Sequence, residues 1–155
     1  IFFGLMNDGG NPAVIEYNVR MGDPETEVVM PRLKTDILEL FAATSTGRLA
    51  EAAFELDERY CTTVMLVAGG YPGSYEKGNV ITGLENVKDS IVFHAGTKLT
   101  DGQVLTNGGR VMAVSSYGTT MEEALALSYK NVEHLKFKDM NFRRDIGQDL
   151  LKLVR

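Results

Sequence analysis

An α+β fold in two parts is what this sequence predicts, and three observations carry the prediction. First, residues 14 to 20 alternate apolar and polar side chains and then break at Gly22-Asp23-Pro24 into helical texture. Second, the texture changes near residues 55 to 60, which assigns 1–57 to one part and 58–155 to another. Third, the second part holds short apolar strands separated by glycine turns, then a single long amphipathic stretch over 121–135. Such a pattern describes a small antiparallel β-rich domain with one long helix.

Composition bounds the answer. The chain has 155 residues, enough for one domain or two small ones and for a real core. Its hydrophobic fraction of 44% and charged fraction of 24% are those of a globular protein, not a disordered one. Lys and Arg total 16 against 21 Asp and Glu, a net charge of -5, which argues against non-specific nucleic-acid binding but allows a local cationic pocket. The single cysteine, Cys61, forbids an internal disulfide and reads as a structural thiol. Without a Cys/His cluster a zinc site is not expected. No apolar run reaches membrane-spanning length and no signal-peptide pattern opens the chain, so neither a membrane nor a nucleic acid is an expected partner and the expected location is the cytoplasm. The chain opens on Ile1 within an apolar strand pattern, which suggests a piece of a longer polypeptide. Oligomeric state is not legible.

Taken in order, residues 1–6 form a strand, and Asn7-Asp8-Gly9-Gly10-Asn11-Pro12 gathers turn formers. Residues 13–20 form the returning arm of a hairpin. Ile15, Tyr17 and Val19 share its apolar face, and Glu16, Asn18 and Arg20 share the other. Asp23 followed by Pro24 reads as an N-cap and first helical position, with Glu25 and Glu27 in the first turn. Pro31 ends or kinks this helix. A second helix is capped by Thr35 or Asp36, carries Leu33, Ile37, Leu38, Leu40 and Phe41 as a stripe, and stops at Gly47. Residues 62–68 form a continuous apolar strand running into a Gly69–Gly73 loop. Further strands are expected over 79–82, 90–99, 103–106 and 110–117, with hairpin turns at 100–102 and at Asn107-Gly108-Gly109. Thr119 or Thr120 caps the long helix, whose buried face is Met121, Ala124, Leu125, Leu127, Val132 and Leu135.

The stretch with chemistry in it is 16–25. Glu16 and Asn18 lie two apart on a strand, so their side chains project the same way, roughly 7 Å apart at the backbone. A carboxylate and an amide carbonyl suit magnesium, which takes one or two protein oxygens and fills its shell with water and phosphate. Arg20 continues the line and can grip a phosphate by paired hydrogen bonds. Gly22 and the helix start at Asp23 add backbone N–H groups. A solvated strand face would show the same alternation, but asparagine disfavours strand interiors and asks for a local reason. Elsewhere, Gly69–Gly73 serves as a tight loop or a phosphate cradle, His94 reads as a packed or edge histidine, and His134 as a solvated one. Lys98, Arg110 and Arg143 are surface cations or face a shared cleft.

The run Glu16-Tyr17-Asn18-Val19-Arg20-Met21-Gly22-Asp23-Pro24-Glu25-Thr26-Glu27 resembles the hallmark of the glycinamide ribonucleotide synthetase (phosphoribosylamine–glycine ligase) family. Its pattern is Glu-Phe-Asn-x-Arg-Phe/Leu-Gly-Asp-Pro-Glu followed by Thr/x and Gln/Glu. The similarity continues at Arg32–Leu38, Ala68–Gly73, Phe93–Thr97, Asn107–Val111 and Arg143–Gly147, in the family's order. Met21 replaces the usual Phe or Leu, and Glu27 stands where Gln is common. The resemblance implies that 1–57 is the C-terminal, metal-binding end of an ATP-grasp domain and 58–155 the ligase's β-rich C-terminal domain. It implies ATP-dependent joining of glycine to phosphoribosylamine through a glycyl phosphate, in de novo purine synthesis. By the same resemblance, Glu16 and Asn18 fall on the Mg2+ or Mn2+ ligands. Arg20 and Asp23 fall on catalytic positions, and Arg20 with Gly22 on the part that faces phosphate. The substrate domain and ATP-clamping lobe would lie upstream, so the isolated chain is expected not to ligate. Two rival readings stay open: a non-catalytic docking module that keeps the fold, and another ATP-grasp ligase or carboxylase, which Gly22-Asp23-Pro24-Glu25 disfavours.

Overall fold

The computed structural model describes residues 2–151. A hairpin of β1 (Phe2–Asp8) and β2 (Asn11–Asn18) opens the chain, followed by helices α1 (Thr26–Arg32) and α2 (Ile37–Ser45). Then come strands β3 (Tyr60–Val67), β4 (Ser90–His94), β5 (Thr97–Thr100), β6 (Gln103–Thr106) and β7 (Arg110–Gly118), and helices α3 (Met121–Val132) and α4 (Gln148–Leu151). All strand pairs are antiparallel, and they make three sheets: β1-β2, β3-β7-β4 and β5-β6. This is the expected α+β class, with a β-rich second part and one long helix.

The core sits between the β3-β7-β4 sheet and α3. β7 is the central strand, and its residues Val111 to Ser116 are all buried. Val64 and Leu66 of β3, Val132 at the end of α3 and Leu135 just beyond it close the core. The buried face of α3 differs from the expected one. Ser128 and Asn131 are buried, whereas Leu127 is only half-buried. The phase of a helix decides which residue faces inward, and a polar one can stay there only if it is bonded. Asn131 meets that condition: it accepts from Lys88 N at 2.9 Å and donates to Lys88 O and Ser90 Oγ, both at 2.8 Å. Ser128 Oγ donates to Ser116 Oγ at 2.9 Å.

Thr120 caps α3, accepting from Glu123 N at 3.2 Å, and the Glu123 carboxylate reaches back to Thr119 N at 3.0 Å. That is a capping box displaced by one residue. The bonds from the Thr119 hydroxyl and amide hold the Glu123 carboxyl below its ordinary value of 4.5. Because the folded pKa is depressed, the stability it supplies is complete above the unfolded value and fades as pH falls through the folded one. Glu123→Gln is therefore expected to flatten the melting temperature against pH below about pH 4.5; an unchanged acid limb would refute this.

Two expected strand features take another form. Residues 90–99 split into β4 and β5 at Ala95-Gly96, and 79–82 contributes only isolated bridges, Val80 to Leu105 and Thr82 to Lys136. Asp101-Gly102 is the expected turn, with φ of 49° and 77°. Asn107-Gly108-Gly109, by contrast, is not a hairpin turn, since β6 and β7 belong to different sheets and neither glycine has positive φ. The glycines there serve close packing. A Cβ on Gly96 would stand 2.5 Å from Arg110 O and 2.6 Å from Gly108 Cα. Backbone is pressed on backbone, so Gly96→Ala is expected to cost on the order of 1–3 kcal/mol in urea unfolding. A neutral result would show that this corner yields.

The first part is held more loosely. Neither α1 nor α2 buries a residue, and Ile15, Tyr17 and Val19 are exposed, Val19 at 94%. The expected inward face of the hairpin therefore stays open to water, with Tyr17 packed only edge-on against Phe3 of the same ribbon, because a two-stranded ribbon needs another layer to bury a face. Asp36 caps α2 by accepting from Leu38 N at 2.8 Å, and Gly47 ends it with φ of 71°. The connection to the sheet is fastened by polar contacts. Arg32 Nε donates to Asp57 O at 3.0 Å, and the Tyr117 hydroxyl donates to Pro31 O. Arg59 forks onto Asp57, holding its carboxyl well below the usual carboxylate range, and its guanidinium lies 4.3 Å from the Tyr117 ring centroid.

Candidate functional site

β2 delivers Glu16 and Asn18 to one face of the ribbon, as their two-residue spacing requires. Across the ladder Gly4 pairs with Glu16 and Phe2 with Asn18. A Cβ on Gly4 would meet Glu16 Cγ at 2.9 Å, so glycine leaves the carboxylate room to stand off the sheet. β2 stops at Asn18, two residues short of the expected end, and Arg20 sits in the bend that follows. Its Nη1 donates to Met21 O at 3.0 Å, which ties the exposed guanidinium to its own loop.

Beyond Arg20 the chain does not enter the helix where Asp23-Pro24 suggests. Asp23 is not the N-cap. α1 starts at Thr26, its N-cap is Glu25, and no side chain caps it. Thr26 supplies the local anchor instead, donating from Oγ1 at 2.8 Å and from N at 3.2 Å to Gly22 O. With its carbonyl so engaged, Gly22 is buried, and the Glu25 carboxylate lies over the space a side chain would take. Asp23 is free to pair elsewhere: its Oδ2 lies 2.9 Å from Arg110 Nη2 at the start of β7.

Glu16, Asn18, Arg20, Gly22 and Asp23 thus line one cleft of about 700 Å³, joined by Glu25, Glu27 and Arg110. The sequence left Arg110 open between a surface cation and a cleft residue, and gave Glu27 no site role; both line this cleft. Arg110 carries a signal only in its place after Asn107-Gly108-Gly109; the strand pairing that brings it here is long-range. Glu27 Oε2 is buried without a hydrogen-bond partner. An unpaired buried carboxylate oxygen is costly and looks for a cation or a donor. Among the described residues no group of three or more His, Cys, Asp or Glu could hold a metal alone. The donor set here is instead one carboxylate and one amide carbonyl, with an orphaned oxygen nearby. That suits a hard divalent cation which keeps water or phosphate in its remaining positions.

Other candidates lie apart. His94 Nδ1 shares a 3.0 Å hydrogen bond with Thr97 Oγ1, and Arg143 pairs with Asp145 at 3.0 Å. Cys61 borders another, apolar cavity of about 720 Å³ lined from α1, β3, α3 and the 141–150 segment, and burial pushes its thiol pKa up, as fits a structural thiol. Among the described residues no helix is long and apolar enough to cross a membrane.

Comparison with known proteins supplies the family. The model of the phosphoribosylglycinamide synthetase C domain matches residues 61–149. The phosphoribosylamine–glycine ligase of Escherichia coli K12 is 48% identical over 151 residues, covering 95% of this chain and 35% of that protein. A bifunctional purine biosynthetic protein of Pichia angusta is 47% identical over 155 residues, covering 98% of this chain and 20% of its own length. The crystal structure of the Thermotoga maritima phosphoribosylamine–glycine ligase superposes with a TM-score of 0.74 at 37% identity, over 92% of this chain and 35% of that one. The chain therefore spans about a third or less of the relatives it matches. With the domain model covering more than half of its residues, the chain belongs to the phosphoribosylglycinamide synthetase C-domain family.

Proposed function

We propose that this chain forms the metal- and phosphate-facing wall of a cytoplasmic ligase that joins glycine to phosphoribosylamine as ATP is split to ADP and phosphate. The observation that carries the reading is the convergence of Glu16, Asn18, Arg20, Gly22 and Asp23 on one cleft. In this reading residues 1–57 close an ATP-grasp domain, and 58–155 form the domain that backs it.

The chemistry is acyl activation. Glycine's carboxylate attacks the γ-phosphorus of ATP, ADP leaves, and a glycyl phosphate forms. The amine of phosphoribosylamine then attacks the glycyl carbonyl, the C–N bond forms, phosphate leaves and the nitrogen gives up a proton. Such a route asks for positive charge around a transferring phosphate more than for a protein nucleophile. Glu16 and Asn18 would hold Mg2+ or Mn2+, which when bound neutralises phosphate charge. Arg20, tied to the Met21 carbonyl, offers a fixed guanidinium to the phosphate. Gly22, whose missing side chain leaves the space that the Glu25 carboxylate occupies, would shape the turn that carries Arg20 and Asp23 to the phosphate. Asp23 sits where its carboxylate faces both the substrate space and Arg110.

The test is ADP release by a full-length ligase carrying this segment. Sustained release should require glycine and phosphoribosylamine together and should not occur with bicarbonate in place of glycine. Bicarbonate-driven turnover would favour a carboxylase, and no ATP cleavage under either condition would favour a docking module.

A further inference from the structure

β7 touches the first part at two points, one of them in the candidate site. Near its end, the Tyr117 hydroxyl donates to Pro31 O in α1. At its start, Arg110 reaches Asp23 in the turn between β2 and α1. The base of Arg110 is fixed. Gly96 N donates to Arg110 O at 2.8 Å, and Ala68 N donates to Gly109 O at 2.8 Å. Gly109 itself lies so close under the Tyr71 ring that a Cβ would fall 2.1 Å from it. The guanidinium therefore projects from a backbone held on several sides, while the Asp23 turn is held, among the described residues, by the Thr26–Gly22 bonds and the Arg20–Met21 bond.

The pair contributes little to stability. The Arg110 and Asp23 side chains are 41% and 48% exposed, and an ion pair so wet adds almost nothing to stability. Its geometric effect is larger, because the turn it holds carries Arg20, Gly22 and Asp23. We propose that Arg110 is a positioning residue of the cleft: through its ion pair with Asp23 it fixes the 20–26 turn and makes the cleft's activity depend on the β-rich part. The kinetic half of this inference rests on the ligase reading above; the structural half does not.

Two measurements test it. In the 155-residue chain, hydrogen exchange at the Thr26 amide should quicken roughly fivefold in Arg110→Met, the order of a coupling between residues in contact. Asp23→Asn should do the same, and the double variant should be no faster than either single one. The amide of Val114, in the sheet centre, should not change. In the full-length ligase, Arg110→Met should lower kcat/KM by at least about tenfold, as small misplacements in a site do. Arg110→Lys should recover part of that loss, with the melting temperature nearly unmoved in both. Unchanged Thr26 exchange, or effects that multiply in the double variant, would overturn the inference whatever the enzyme's substrates are. A wild-type ligase inert toward glycine and phosphoribosylamine would overturn the functional reading alone, leaving the exchange result to decide the pair.

Discussion

Replacing Glu16 with glutamine in the full-length ligase is expected to lower kcat by roughly 10²–10³-fold, the usual cost of losing one electrostatic partner of a transferring group. The substitution keeps the shape of the side chain and removes its charge. Gly4 already leaves space beside it, so packing in the ribbon should be undisturbed. Raising the Mg2+ concentration should restore part of the rate, because the defect is in holding the ion. Asn18→Leu, which removes a neutral donor, should cost less and respond to metal in the same direction. Mn2+ titration followed by electron paramagnetic resonance checks the binding directly, and an unchanged metal response in both variants would refute the assignment of Glu16 and Asn18.

Leu66→Ala is expected to be the most destabilising single truncation. Leu66 is fully buried on β3, in the cluster that joins the sheet to α3. Truncating such a leucine costs roughly 2–5 kcal/mol, the transfer term plus the cavity it leaves. Against a total stability of about 5–15 kcal/mol this is a large share. Leu38→Ala, by contrast, removes a side chain that is 68% exposed on α2 and should stay within about 0.5 kcal/mol of wild type. Urea unfolding followed by circular dichroism separates the two; equal midpoint shifts would contradict the division between a packed β-rich part and a loosely held first part.

What could be read from the sequence was what local chemistry writes. The apolar run before Gly69, the Asp101-Gly102 turn, the Asp36 and Thr120 caps and the Gly47 stop each follow from a residue's own backbone preference or from period, and the structure has them all. The alternation at 14–18 likewise placed Glu16 and Asn18 together. What escaped depends on pairing across the chain. Tyr117 meets Pro31 over a separation of 86 residues, and Arg110 meets Asp23 by the same strand placement. Glycines mislead for a related reason: a turn glycine and a close-packing glycine look alike in sequence, so Gly108-Gly109 suggested a turn where the backbone at Gly96 and the Tyr71 ring explain them. The inward face of α3 was misjudged at Leu127 because hydrophobicity stood in for phase. Asp23 read as a cap since Asp-Pro is a common helix start, yet its charge is used on Arg110.

The bare face of the β1-β2 ribbon has a colloidal consequence. Phe3, Ile15, Tyr17 and Val19 present apolar surface to water, and among the described residues no further strand pairs with either edge of the ribbon. Surface of that kind is adhesive, since it offers both a greasy area and a template for further strands. The net charge of -5 opposes association at low ionic strength, and salt weakens that repulsion. Purified by itself, the chain should therefore scatter more light as protein and salt concentrations rise, with the ribbon as the sticking point.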